Sequence, residues 1–318
     1  MAETNQLNAT IPDGGIPKRR FSLTGVQKRE TKKFLVAMLF LFPSLFIFAT
    51  FTFIPLIRTI SLSTYLTDPI GRPTVFAGLL QYERLFTTTT FTNSFTQSTL
   101  FVLYTVPTAI FLGLVLALLG NMRLKQISIF RAFFSSTIAV SGATASLMFL
   151  YLFHPTIGNL NYILGIFGIE PVEWLIKEAS ALPSVALVSV WLQLGLNTVI
   201  ILAAMQGIPE ELYESAMIDG ANSWNKFIHI TIPFLSSTFF FLLIVDTLAS
   251  FQTFTPIHIM TSGGPIDSTN LLVYSIYREF YFNGKYGFAA AQSIMLFLIM
   301  LVLTIFQFVF VERKVFYE

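Results

Sequence analysis

Six predominantly apolar stretches each reach the length a helix needs to cross a bilayer, roughly 20 residues. They cover residues 34–57, 97–120, 127–153, 184–206, 234–256 and 287–311. The pattern predicts an all-α integral membrane protein with six transmembrane helices. The first stretch follows a polar leader of 33 residues that shows no small-residue cleavage site, so it reads as a retained helix rather than a signal peptide. The leader, residues 1–33, is expected to be disordered to about residue 22, with 26–33 able to lie as a short helix on the membrane surface. Residues 34–318 then form the membrane domain, interrupted by one compact polar loop at 207–233.

Composition agrees with this pattern. Hydrophobic types make up 54% of the chain and charged types 11%, with 35 Phe, more apolar surface than a soluble domain of 318 residues can bury. There is no Cys, which removes disulfides, thiol nucleophiles and Cys-based metal sites. His154, His229 and His258 lie far apart near span ends, and no metal site is expected from them. The net charge of +2 is not concentrated in a patch, so nucleic acid is not an expected partner. With the N-terminus in the cytoplasm, thirteen Lys and Arg fall in inner segments and six in outer ones. That bias predicts both termini inside. It places the 207–233 loop in the cytoplasm between spans four and five.

The loop reads as two short helices. "PEELYESAMID" puts Pro209 at the start and Glu210 and Glu211 in the first turn, where acids complement the dipole. Gly220 stands where a left-handed C-terminal residue is expected. "NSWNKFIHITIP" restarts with Asn222 or Ser223 as cap, and Trp224, Phe227 and Ile228 form an apolar ridge. A helix pair with an acidic rim at the membrane edge suits docking to a partner, or lying among lipid headgroups.

The spacing carries a resemblance. Glu214-Ser215-Ala216, three residues, Gly220, nine residues, then Ile230-Thr231-Ile232-Pro233 resembles the E-A-A…G…I-x-L-P loop of permease subunits of binding-protein-dependent ABC importers. Ser215 for Ala and Ile232 for Leu are the departures, and Asp219 in "DGA" also looks like the family. "TSGGP" (261–265), "IYREF" (276–280), "AAAQS" (289–293) and the ending "VERKVFYE" resemble the carbohydrate-uptake branch, nearest to permeases for glycerol 3-phosphate and glycosyl-polyols. The resemblance covers roughly residue 33 to the C-terminus. It implies a type I ABC importer permease fold with cytoplasmic coupling helices in a bacterial inner membrane. It also implies a second permease subunit in a heterodimer, two ATPase subunits and an extracytoplasmic solute-binding protein. Glu214, Ser215, Ala216, Asp219, Gly220, Trp224 and Phe227 would then couple to the ATPase. No phosphate-binding G-x-x-x-x-G-K-[ST] occurs, so ATP and Mg belong to the partner ATPases and this chain binds no cofactor of its own.

Polar groups in mid-span mark the candidate solute path. Asp246, Ser250 and Thr253 fall at i, i+4 and i+7 with Gln252 beside them, and Gln193 and Asn197 fall at i and i+4 with Trp191 just before. Amides, hydroxyls and an aromatic ring suit a polyhydroxylated solute. Hydrogen bonding between helices is the alternative use of the same groups. The spans carry no Lys at mid-membrane and one acid, Asp246, which favours a neutral sugar or glycosyl-polyol, such as glucosylglycerol or a disaccharide, over glycerol 3-phosphate. An ion-coupled carrier is the rival class, although no internal repeat supports it. No H-E-x-x-H or G-x-S-x-G occurs, and no catalytic residues are expected.

Overall fold

The computed structural model describes residues 25–122 and 124–315. The expected disordered tail to residue 22 lies outside the described residues. The chain forms two compact units, one ending at Leu56 and the other beginning at Ile57.

In the first unit, α1 (Gly25–Phe48) takes in the basic segment that could have lain on the membrane surface, and continues it into the span. A π-type turn (Ala49–Phe53) leads into α2 (Ile54–Leu62), whose residues from Ile57 on belong to the second unit. The apolar run Lys32–Leu62 buries none of its side chains within the molecule, as suits a helix surrounded by lipid.

In the second unit, an antiparallel hairpin of β1 (Tyr65–Thr67) and β2 (Pro73–Phe76) precedes α3 (Leu80–Thr87). The second span is α4 (Thr89–Gly120). The third is not the single helix expected over 127–153. It consists of α5 (Ile127–Ser135) with a 3₁₀ turn (Ser136–Ala139), then α6 (Gly142–Leu152), bent by 101°. The reason is local chemistry. Ser141 takes an extended conformation and its hydroxyl accepts from the Thr144 N–H, capping a new helix in place of continuing the old one. Just before the bend, the Thr137 hydroxyl accepts from the Gly195 N–H at 3.0 Å, fixing the corner to the fourth span.

A short α7 (Asn159–Ile166) leads to the fourth span, α8 (Glu178–Gln206). The loop helices α9 (Glu210–Ile218), α10 (Ser223–Lys226) and α11 (Ile232–Phe234) follow. The fifth span is α12 (Ser236–Phe251) and α13 (Thr255–Met260). Then come α14 (Leu272–Tyr277) and the sixth span, α15 (Tyr286–Phe306), prolonged by a π-type turn to Val311.

The fourth span is the hub. One core joins Val185 and Val188 of α8 to Phe101 of α4, Phe149 of α6 and Ile257 of α13. A second joins Ile201 and Leu202 to Ala117 and Leu242. At Gly113 a side chain would stand 2.9 Å from the Asn197 Cβ, so glycine is what lets α4 and α8 approach.

Candidate functional site

Two sites emerge from this frame, the loop between the fourth and fifth spans and a buried polar cluster among the spans.

In the loop, α9 ends in a Schellman turn. Gly220 adopts φ +78°, its N–H bonds to the Met217 carbonyl at 3.1 Å, and the Ala221 N–H bonds to the Ala216 carbonyl at 2.9 Å. Nothing lies within 4 Å of a side chain added at Gly220, so the position demands a left-handed backbone rather than a small volume. Asn222, not Ser223, caps α10, its Oδ1 accepting from the Asn225 N–H at 2.8 Å. The Tyr213 and Thr231 hydroxyls share a hydrogen bond at 3.0 Å, tying α9 to the entry of the fifth span. The expected coupling residues therefore lie on α9, on α10 and the residue after it, and in the turn between them. Glu214, Ser215, Asp219, Gly220 and Trp224 are exposed, while Ala216 and Phe227 are half-buried. Trp224 lies over Phe227, ring centroids 5.8 Å apart.

The loop also exposes two residues that the sequence reading missed: Ile218, 86% exposed, and Met217, 54% exposed. Both sit on the last turn of α9. The available signal was an apolar pair in the last turn before Asp219 and the helix-ending Gly220.

Among the spans, four of the expected polar residues meet, Gln193, Asn197, Asp246 and Ser250, while Gln252 and Thr253 bond elsewhere, to Met300 and to the Ala249 carbonyl. The Asn197 Nδ2 donates to the Asp246 Oδ2 at 2.7 Å. The Thr105 and Ser250 hydroxyls share a hydrogen bond at 2.8 Å, and the Gln193 Nε2 donates to the Ser250 Oγ at 3.5 Å. Spans two, four and five are thus joined by one network. Asn197, Asp246 and Ser250 are buried within the chain itself. Gln252 is exposed, and Trp191, Gln193 and Thr253 are half-buried. The Trp191 ring meets Phe149 edge-on at 5.6 Å. Thr105 is the member that sequence reading missed, because it is one of seven Thr in α4 and nothing in their spacing sets it apart. The Oε1 of Gln193 and the Oδ1 of Asn197 have no hydrogen-bond partner, leaving acceptor capacity beside the network.

The family model described as "Binding-protein-dependent transport system inner membrane component" matches residues 75–316. This chain belongs to that family. Among relatives of the permease, the "sn-glycerol-3-phosphate transport system permease protein UgpA" of Agrobacterium fabrum is 34% identical over 278 residues, covering 86% of this chain and 94% of the relative. The protein of the same name from Yersinia pestis is 35% identical over 283 residues, covering 88% and 95%. Among solved structures, a bacterial ABC transporter involved in the import of the acidic polysaccharide alginate aligns with TM-score 0.76 at 21% identity, over 90% of this chain and 98% of that one. A bacterial alginate ABC transporter in complex with alginate pentasaccharide-bound periplasmic protein aligns at 0.75 and 22%, over 88% and 94%. The permease therefore has the type I ABC importer fold that the loop motif implied. It is a multi-pass transport subunit of the inner membrane and not an enzyme.

Proposed function

We propose that this permease carries a phosphorylated polyol of the glycerol 3-phosphate class inward, driven by ATP hydrolysis on separate subunits. The observation that carries the solute class is the 34–35% identity, over most of both chains, to permeases named for sn-glycerol-3-phosphate. A binding protein outside the membrane hands over the solute, a second permease subunit completes the cavity, and two ATPases bearing ATP and Mg work at the loop 207–233. That loop faces the cytoplasm with both termini, a reading supported by the distribution of Lys and Arg.

The loop geometry supports a lever. The Schellman turn at Gly220 and the Tyr213–Thr231 bond make α9 and α10 one unit joined to spans four and five. The Asn197–Asp246 bond joins those two spans to each other within the membrane. A push on exposed Ile218 and Trp224 is then transmitted to the pair of spans as a rigid body, the kind of motion that alternates access. Gln252, Thr253 and Gln193 are the members of the polar stripe with surface to offer a solute, whereas Asn197, Asp246 and Ser250 brace the spans behind them.

A neutral sugar or glycosyl-polyol is the second reading. It is favoured by Asp246, the one acid in mid-span, and by the lack of Lys there. Uptake into vesicles holding the complete importer decides between them. Saturable, ATP-dependent uptake of glycerol 3-phosphate is expected. Uptake of a glucosylglycerol-like solute that glycerol 3-phosphate does not compete with would overturn the first reading in favour of the second.

A further inference from the structure

If the solute carries a phosphate, the spans supply no Lys or Arg at mid-membrane to receive it, Arg58 and Arg131 lying near span ends. The cations lie elsewhere. At the ends of the spans opposite the 207–233 loop, the β-hairpin, α3 and the start of α15 enclose a pocket of about 480 Å³. Its lining includes Thr67, Gln81, Arg84, Thr88, Glu279 and Lys285.

The pocket is built from packed parts. Leu85 of α3 is fully buried against Phe288 of α15, and the Gly287 N–H donates to the Thr67 hydroxyl at 3.4 Å. Gln81 is 3% exposed. Its Nε2 donates to the Tyr65 carbonyl at 3.4 Å, while its Oε1 has no partner. A buried amide oxygen left this way calls for a donor such as a hydroxyl.

The charges do not cancel. Lys285 pairs with the buried Glu279 at 3.4 Å. Elsewhere on this side Arg278 pairs with Asp267, and Lys177 pairs with Glu173. Arg84 is exposed on the pocket lining and makes no ion pair among the described residues. The pocket therefore has one uncompensated positive charge. It also adjoins the N-terminal end of the 21-residue helix α15, whose dipole favours an anion.

We propose that this pocket binds the phosphate monoester of a small polyol before it enters the membrane. The phosphate sits on the Arg84 guanidinium, with the Thr67 hydroxyl, which only accepts from Gly287, and Lys285 around it. A polyol hydroxyl donates toward the Gln81 Oε1. An unpaired Arg fits the phosphate, since its fork of donors matches the oxygens. An unpaired amide acceptor fits the polyol. The inference rests on the phosphorylated-polyol reading above and adds where the anion is read.

Calorimetric titration of the purified importer, without its binding protein, tests it with glycerol 3-phosphate, inorganic phosphate and glycerol as probes. Saturable binding of glycerol 3-phosphate is expected, weaker binding of inorganic phosphate, and none of glycerol. Arg84→Gln should weaken glycerol 3-phosphate by at least about tenfold, as loss of a charge-assisted bond would, with the thermal midpoint unchanged because Arg84 is exposed. Arg84→Lys should fall between. Equal affinity in the wild type and Arg84→Gln, or no saturable binding, overturns the pocket. Equal affinity for inorganic phosphate overturns the polyol half. If uptake assays show glycerol 3-phosphate carried while Arg84→Gln binds normally, the pocket inference falls and the transport reading stands. If only neutral solutes are carried while the pocket still binds glycerol 3-phosphate, the reverse holds.

Discussion

Asn197 of the fourth span donates to Asp246 of the fifth at 2.7 Å, with both side chains buried inside the chain. These are the two spans that flank the loop, so the bond closes a frame whose other side is the Tyr213–Thr231 contact. Removing the donor leaves a buried carboxyl without it. Asn197→Leu should cost about 1–2 kcal/mol of stability, the upper range for interhelical bonds in membranes. Asp246→Asn should cost less, because an amide oxygen can still accept. Thermal unfolding in detergent measures both. Loss of uptake in Asn197→Leu with an unchanged unfolding midpoint would instead make Asn197 a solute contact.

Gly113 is the close-approach point of the second and fourth spans. A methyl group there would stand 2.9 Å from the Asn197 Cβ. Gly113→Ala should therefore destabilise the permease by about 1–3 kcal/mol through overpacking, read in the same unfolding assay. No change in the midpoint would mean that the two helices are not held at this distance.

Ile218 and Trp224 are the exposed apolar residues that an ATPase groove would cover, at 86% and 64% exposure. Trp224→Ala should weaken capture of the ATPase by the solubilised permease by about 2 kcal/mol, as loss of an aromatic anchor does. Ile218→Ala should weaken it by less. A pull-down titration checks this, and full-strength capture by the double variant would remove the patch from the interface.

Asp267 holds Arg278 in a two-pronged contact, Nη1 to Oδ1 and Nη2 to Oδ2. The hydrogen bond to Asp267 raises the Arg278 pKa above its already high value, with burial opposing. A group whose folded pKa is raised contributes stability below its unfolded pKa and loses it as pH rises through the folded one. For Arg278 that window lies in strong alkali. Hydrogen exchange of the 261–270 loop should thus show no Arg278-dependent opening across neutral pH. Arg278→Lys should loosen the loop by under about 1 kcal/mol, since Asp267 is partly exposed.

Much of this permease is legible in its sequence because lipid enforces simple rules. Long apolar runs gave five spans directly, and the spacing from Glu214 to Pro233 identified the family through its loop. The third span was misread because hydropathy sees only the apolar run through 127–153, whereas the bend depends on one side-chain cap at Ser141. The polar residues of spans four and five were singled out as a candidate solute path, with bonding between helices as the alternative, and the structure brings Asn197 to Asp246 and Gln193 to Ser250. Which members face outward was not legible, since Asp246 and Ser250 are buried beside partners, Asn197 and Thr105, that are remote in sequence, while Gln252 is exposed.

The central claim is that the turn at Gly220 passes ATPase motion to the spans. The ratio of ATP hydrolysed to solute taken up, in vesicles holding the complete importer, tests it directly. Gly220 has φ +78° and open space around it, so backbone strain of about 1–2 kcal/mol, not crowding, is what a substitution introduces. Gly220→Asn, which tolerates a left-handed backbone, should stay near the wild-type ratio, while Gly220→Leu should hydrolyse ATP with little uptake. Wild-type coupling in Gly220→Leu would contradict the account.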